Sequence, residues 1–385
     1  MAGEGAVEAV RGGSSTIAYL SCHPGRSLGR YRVVEKIGCG GFGAVYRAID
    51  PVLRRDVAIK TCEVASHEVR ARFEREARLA ARLRHPSITT VYDFGFEADV
   101  PFLVCEFLEG ADLDEVLARF PELPLLERLD ALIAVAGALE CAHAAGVLHR
   151  DIKPANVRVL PDGTVKLMDF GIAKSLLTDE KLTRAGTTVG SSAYMSPEQA
   201  RGEPLDPRTD IFSFGVLAYE LLAGRKPFRD PDLMQLLEKI TTEEPDPLDS
   251  NTPNLPPSLC SLVHRCLNKD RNGRPASAEK ARLALRAVRE DILALAGLGP
   301  APLPSEEDGF EIAAERPIGL GGRTFRRLCQ LRRTLPRLAA ALLLLAAAGL
   351  MLFAWRREEL GAARSVEHRR AQAIRWAPHP ARVSP

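Results

Sequence analysis

Residues 149–171 read HRDIKPANVRVLPDGTVKLMDFG, and the rest of the chain is best read outward from them. Within this stretch, His149-Arg-Asp-Ile-Lys-Pro-Ala-Asn156 gathers Asp151, Lys153 and Asn156 into one short loop. Asp169-Phe-Gly171 follows 18 residues after Asp151, with the strand-like run Thr164–Met168 leading into it. Two carboxylates and an amide arranged this way can orient a hydroxyl and hold divalent cations on phosphate oxygens.

Upstream, Gly38-Cys-Gly-Gly-Phe-Gly43 fits GxGxxG through Gly38, Gly40 and Gly43. Alone it is a weak signal, since a glycine-rich hairpin can exist simply to turn. A Rossmann site needs such glycines to open a helix, whereas here Ala44-Val45-Tyr46 continues as strand. A strand–loop–strand hairpin can instead lie over phosphates, because glycine lets backbone N–H groups approach closely. Seventeen residues beyond Gly43, Val57-Ala-Ile-Lys60 ends an apolar strand with a lysine. A buried lysine demands an anionic partner. Glu76 in Phe73-Glu-Arg-Glu-Ala77 is the candidate, with Glu74 the nearest alternative.

The surrounding pattern divides in two. Tyr31–Ile37, Ala44–Ile49, Asp56–Lys60, Thr90–Phe94 and Phe102–Phe107 read as strands, interrupted by a helix from about Val69 to Leu83 that stops at His85-Pro86. Leu126–Ala145, Thr209–Leu222 and Ser277–Val288 carry apolar residues at helical spacing. Strands first and helices after predict an α+β fold in two lobes. No internal repeat is visible.

Composition narrows the function. Hydrophobic residues make up 46% and charged residues 26% of 385, the balance of a globular chain. Lys and Arg total 52 against 50 Asp and Glu, a net +2, which excludes a nucleic-acid binder working through bulk charge. The eight cysteines form no CxxC pair and no zinc-ligand spacing with the histidines. At that density in so long a chain they read as free thiols in a reducing compartment.

The ordered set GxGxxGxV, VAIK, HRDxKxxN, DFG and SPE resembles the bacterial eukaryotic-type (Hanks-type) serine/threonine protein kinases of the receptor-like, membrane-anchored kind. The similarity covers about Tyr31 to Glu290 and implies a bilobal protein-kinase fold, with an N-lobe over 31–107 and a C-lobe over 108–290. It implies a loop over ATP phosphates from Gly38 to Val45, with Ile37 and Ala58 beside the nucleotide. Lys60 would bind the α- and β-phosphates and pair with Glu76. Glu106 to Leu108 matches the hinge that reads the adenine edge, and Cys105 the gatekeeper position. Asp151 matches the catalytic base, Lys153 the lysine beside the γ-phosphate, and Asn156 and Asp169 the Mg²⁺ ligands, with Mn²⁺ an alternative. Glu198 is expected to pair with Arg274, and Asp210 to brace the catalytic loop.

Three departures or additions stand out. Ser196 occupies a position where the family often has alanine. Ser191 replaces a threonine at the substrate-contacting position. Arg158 stands where an apolar side chain usually floors the adenine pocket; its methylene stem can supply that contact and its guanidinium can stack on a purine. Arg150, before Asp151, can bind a phosphorylated loop, which makes Thr183, Thr187 and Thr188 candidate autophosphorylation sites, with a homodimer formed during that step. The resemblance implies ATP-dependent phosphorylation of protein serine and threonine hydroxyls in membrane-associated signalling. The competing reading is a pseudokinase or nucleotide-binding scaffold without phosphotransfer.

Outside this core the reading is simpler. Residues 1–30 are rich in Gly, Ala and Ser, lack the charged and apolar regions of a secretory signal, and are expected to form a flexible extension. Residues 291–337 read as a juxtamembrane linker. Residues 338–355, LAAALLLLAAAGLMLFAW, run 18 residues without a charge and would span about 27 Å as a helix, near the ~30 Å hydrocarbon core. Trp355 with Arg356 and Arg357 fits an interfacial edge. The expectation is a single-pass protein of a bacterial plasma membrane, in contact with lipid through one helix. The kinase domain would be cytoplasmic and the 356–385 tail outside.

Overall fold

Residues 8–12, 15–19, 25–40, 43–61, 67–97, 100–170, 189–248 and 254–296 are described by the structure, a computed structural model. The chain divides into two units, 1–325 and 326–385, and every described residue belongs to the first. Two short strands, β1 (Glu8–Gly12) and β2 (Ser15–Tyr19), pair antiparallel within the expected N-terminal extension.

A six-stranded antiparallel sheet follows, in the order β3 (Ser27–Leu28), β4 (Tyr31–Gly40), β5 (Gly43–Asp50), β6 (Arg55–Thr61), β8 (Val100–Glu106), β7 (Val91–Glu97). Strand alternation explains its two faces. Leu28, Tyr31, Val33, Tyr46, Ala48, Val57, Ile59, Phe102 and Val104 bury one apolar face. Leu28 is fully buried, so the sheet begins before Tyr31. On the opposite face Phe73 and Ala77 of α1 (His67–Ala80) pack with Val91, Leu103, Phe94, Phe96 and Cys105.

The helical part centres on α3 (Leu125–Ala144) and α6 (Pro207–Ala223), both apolar nearly all round and correspondingly buried. Asp206 caps the N-terminus of α6, accepting from Arg208 N–H, and Gly224 ends it in the left-handed conformation at φ +69°. α9 (Ala278–Leu295), starting at the Ser277 cap, lies against α3 through Arg282–Glu140 and Arg289–Asp130, each at 2.6 Å. It extends past residue 290, the expected end of the domain. The remaining helices are α2 (Leu113–Arg119), α4 (Val189–Ser192), α5 (Pro197–Ala200), α7 (Leu233–Thr242) and α8 (Pro257–Cys266).

A second, three-stranded sheet sits where the decisive stretch falls: β11 (Val165–Leu167), β10 (Val157–Val159) and β9 (Ala111–Asp112). Its Leu167 bridges Ile88 and exchanges bonds with Ser87 and Thr89, tying it to the segment after α1. Thr183, Thr187, Thr188 and the 338–355 run lie outside the described residues. Among the described residues no helix is long and apolar enough to cross a membrane.

Candidate active site

The glycine hairpin joins β4 to β5. Gly43 sits at φ +142°, and a Cβ there would lie 1.9 Å from the Thr61 carbonyl oxygen. Only glycine lets the strands approach so closely. The Thr61 hydroxyl completes the corner, accepting from Ala44 N–H at 3.1 Å. Strand register then sets Val45 opposite both Gly38 and Lys60, and Ala58 opposite Cys105. Ile37 remains about half exposed at 47%. The sheet thus presents Val45, Ala58 and Lys60 beside the glycine hairpin.

Lys60 Nζ meets Asp169 Oδ2 at 2.8 Å. The expected partner, Glu76, lies partly buried on α1, and among the described residues no ion pair joins it to Lys60. Asp169 adopts φ +57°, a left-handed conformation uncommon outside glycine that aims its carboxylate back toward β6. Phe170, next in sequence, is buried against the His149 ring with centroids 4.8 Å apart.

The catalytic-loop residues are held by a dense set of bonds. Asn156, in the 3-10 turn Pro154–Asn156, donates from Nδ2 to Asp151 O at 2.7 Å and Asp151 Oδ2 at 3.0 Å. Lys153 Nζ reaches the same Oδ2 at 2.9 Å. Met168 N–H donates to Asn156 O at 2.8 Å, tying the approach to Asp169 to this loop. His149 is fully buried, and that burial pushes its imidazole below the ordinary value and keeps it neutral. Its bonds then define the tautomer: Nε2–H donates to Met168 O at 2.8 Å, and Nδ1 accepts from Asp151 N–H at 3.2 Å.

Beneath the loop, buried Asp210 accepts from His149 N–H and Arg150 N–H, both at 2.8 Å, and faces His143 Nε2 at 2.9 Å. Burial alone would raise its carboxyl, but the bonds from His143 Nε2 and the His149 amide hold it below its ordinary value. Glu198 and Arg274 form a forked pair at 2.7 and 2.9 Å, joined by the Thr209 hydroxyl donating to Glu198 at 2.7 Å. The Glu198–Arg274 pair and the Asp210 brace are the contacts the sequence led one to expect; the Thr209 bond is an addition.

The residues expected to form hinge and adenine floor carry two pairs that sequence reasoning missed. Glu106 accepts from Lys166 Nζ at 2.7 and 2.9 Å, and Arg158 donates to Asp112 at 2.6 Å. The register explains the second: Arg158 lies between Asp112 on β9 and Lys166 on β11. The guanidinium of Arg158 is thereby turned toward Asp112. Leu108 is buried at the end of the hinge. The only sequence signal for these pairs was the period-two alternation of β10 and β11; their acidic partners lie 46 and 60 residues away.

The family model described as protein kinase domain matches residues 31–284. The serine/threonine-protein kinase pkn3 of Myxococcus xanthus is 41% identical over 279 residues, 68% of this chain and 50% of that protein. A probable serine/threonine-protein kinase of Streptomyces coelicolor is 39% identical over 272 residues, 69% of this chain and 40% of its own length. The serine/threonine-protein kinase PknA of Mycobacterium tuberculosis is 38% identical over 286 residues, 72% of this chain and 64% of its own. The chain therefore spans about half the length of the curated relatives it matches.

Proposed function

The chain belongs to the protein kinase domain family, and from that premise we propose that it transfers the γ-phosphoryl group of ATP to serine and threonine hydroxyls of proteins. One observation carries the reading: Lys153 and Asn156 converge on Oδ2 of Asp151, while Lys60 meets Asp169. Asp151 is the base that receives the proton of the substrate hydroxyl, and its two donors hold the carboxylate in one orientation. Lys153 supplies positive charge beside it for the phosphoryl group in transit. Lys60 gives the nucleotide phosphates a cation at the glycine hairpin, and the part-buried Lys166–Glu106 pair steadies the hinge.

Mg²⁺, which the family implies, suits the donors present. Asn156 commits its amide nitrogen to Asp151, so its carbonyl end and the Asp169 carboxylate are hard oxygen donors. Two such ligands match an ion that keeps waters and phosphate oxygens in the rest of its shell, and Mn²⁺ accepts the same set. When bound, the cation neutralises charge on the phosphates.

The test is transfer of radiolabel from ATP by the full chain, to itself and to a generic basic protein. Wild type is expected to label both, and Asp151→Asn to fall at least about 10²-fold, the usual contribution of a general base, while staying folded. Wild-type rates in a folded Asp151→Asn variant would sink the assignment. ATP binding without transfer by wild type would establish the pseudokinase alternative instead. Peptide mass spectrometry of the same reaction reads modification of Thr183, Thr187 and Thr188.

We propose further that residues 338–355 span a bacterial plasma membrane, with 1–337 in the cytoplasm, where ATP is, and residues 356–385 outside. What supports it is the uncharged run of 18 residues with arginines beyond Trp355. A cysteine placed at Ser384 should react with an impermeant maleimide on spheroplasts and one at Ser15 should not; the reverse pattern would overturn the orientation.

A further inference from the structure

Ser196-Pro-Glu-Gln199 has the spacing of a capping box, and the structure forms both of its bonds. Ser196 Oγ accepts from Gln199 N–H at 3.2 Å, and Gln199 Oε1 accepts from Ser196 N–H at 3.0 Å. A box of this kind needs only the acceptor oxygen of its fourth residue, so glutamate serves equally well. Here the amide has a second use. Gln199 Nε2 donates to the carbonyl oxygen of Arg150 at 3.1 Å, across 49 residues of chain. The orientation of the amide is fixed chemically, because Ser196 N–H demands the oxygen and the Arg150 carbonyl demands the nitrogen.

Arg150 is the residue that most needs holding. It lies at φ +64°, a backbone conformation that persists in a non-glycine residue only where its surroundings enforce it. Its N–H is taken by Asp210 at 2.8 Å and its C=O by Gln199. The two bonds clamp the residue from opposite ends, and Asp151 follows directly. Asp210 was foreseen in this role; Gln199 was not.

We infer that Gln199 is a positioning residue for phosphotransfer: its amide couples the Ser196–Ala200 turn to the Arg150 carbonyl and so fixes the direction of the Asp151 carboxylate. It acts through the Arg150 carbonyl. The inference rests on the kinase reading of Asp151 and adds a determinant from outside the loop.

Gln199→Glu separates the two uses of the side chain, because it keeps the capping acceptor and removes the donor to Arg150. In the full chain we expect kcat for transfer to a basic protein to fall about tenfold, with the KM for ATP within about twofold of wild type. Amide hydrogen exchange in the peptide containing Arg150–Lys153 should quicken. Gln199→Met, of similar size and without either polar group, should match Glu in kcat and be less stable. A Gln199→Glu variant with wild-type kcat and wild-type exchange would reduce Gln199 to a helix cap and overturn the inference. So would loss of the folded state in both variants. If wild type itself transfers no phosphate, the activity proposal fails, while the exchange comparison still decides whether Gln199 holds the loop.

Discussion

Two ion pairs in this molecule have nearly the same length and opposite characters. Arg274 and Glu198 meet at 2.7 Å with side chains 0% and 2% exposed, and Lys60 and Asp169 meet at 2.8 Å with side chains 25% and 43% exposed. In the first, the guanidinium fork also donates to the Arg208, Asn268 and Lys269 carbonyls, and the carboxylate also accepts from Thr209. Removing one partner strands a charge away from water. The second pair is wet, and its ions can be resolvated or taken over by phosphate and metal. Burial, more than distance, separates scaffold from machinery.

The largest stability effect should come from breaking the dry pair. Arg274→Met leaves Glu198 buried and uncompensated, and should destabilise the fold by about 3–5 kcal/mol in denaturant unfolding. The pH dependence has a definite sign. Burial alone would raise the Glu198 carboxyl, but the bonds from Arg274 and Thr209 hold it below its ordinary value. Its contribution in wild type is therefore present above the unfolded-state value and lost as pH falls through the depressed one. In Arg274→Met only the Thr209 bond still opposes the burial, so protonation relieves the variant and its deficit should narrow on acidification. A deficit that is small, or constant with pH, would mean the pair is not the anchor its geometry describes.

A smaller effect is expected between these extremes. The Arg158–Asp112 pair is 21% and 28% exposed. Arg158→Leu should cost under about 1 kcal/mol of stability, and it restores the apolar side chain usual at the adenine floor. ATP affinity, measured by titration, should be kept or improved. A tenfold loss, about 1.4 kcal/mol, would show that the guanidinium contacts the nucleotide.

Sequence reading succeeded where periodicity is local. The alternation in Tyr31–Ile37, Ala44–Ile49 and Asp56–Lys60 falls inside β4, β5 and β6, and Leu126–Ala145 is within a residue of α3 at each end. It did not register α2, of seven residues, or α7 and α8, of ten each. These carry too few turns for a period to stand out, and α8 begins in a proline-rich run. The two-residue β9 offers no pattern at all. The site was legible as a set of motifs, yet its side-chain bonds were legible only in part. Arg158–Asp112, Lys166–Glu106 and Gln199–Arg150 join residues far apart in sequence, and nothing local announces them. Lys60 shows the same limit: its need for an anion could be read, whereas the choice of Asp169 depends on the left-handed turn at that residue.

The contrast between wet and dry pairs is tested most directly by Lys60→Met in the full chain, with thermal unfolding and phosphate transfer measured on one preparation. The account predicts a stability within about 1 kcal/mol of wild type, as for an exposed ion pair, together with loss of transfer. A variant as unstable as Arg274→Met, or one that is stable and still transfers phosphate at the wild-type rate, would contradict it.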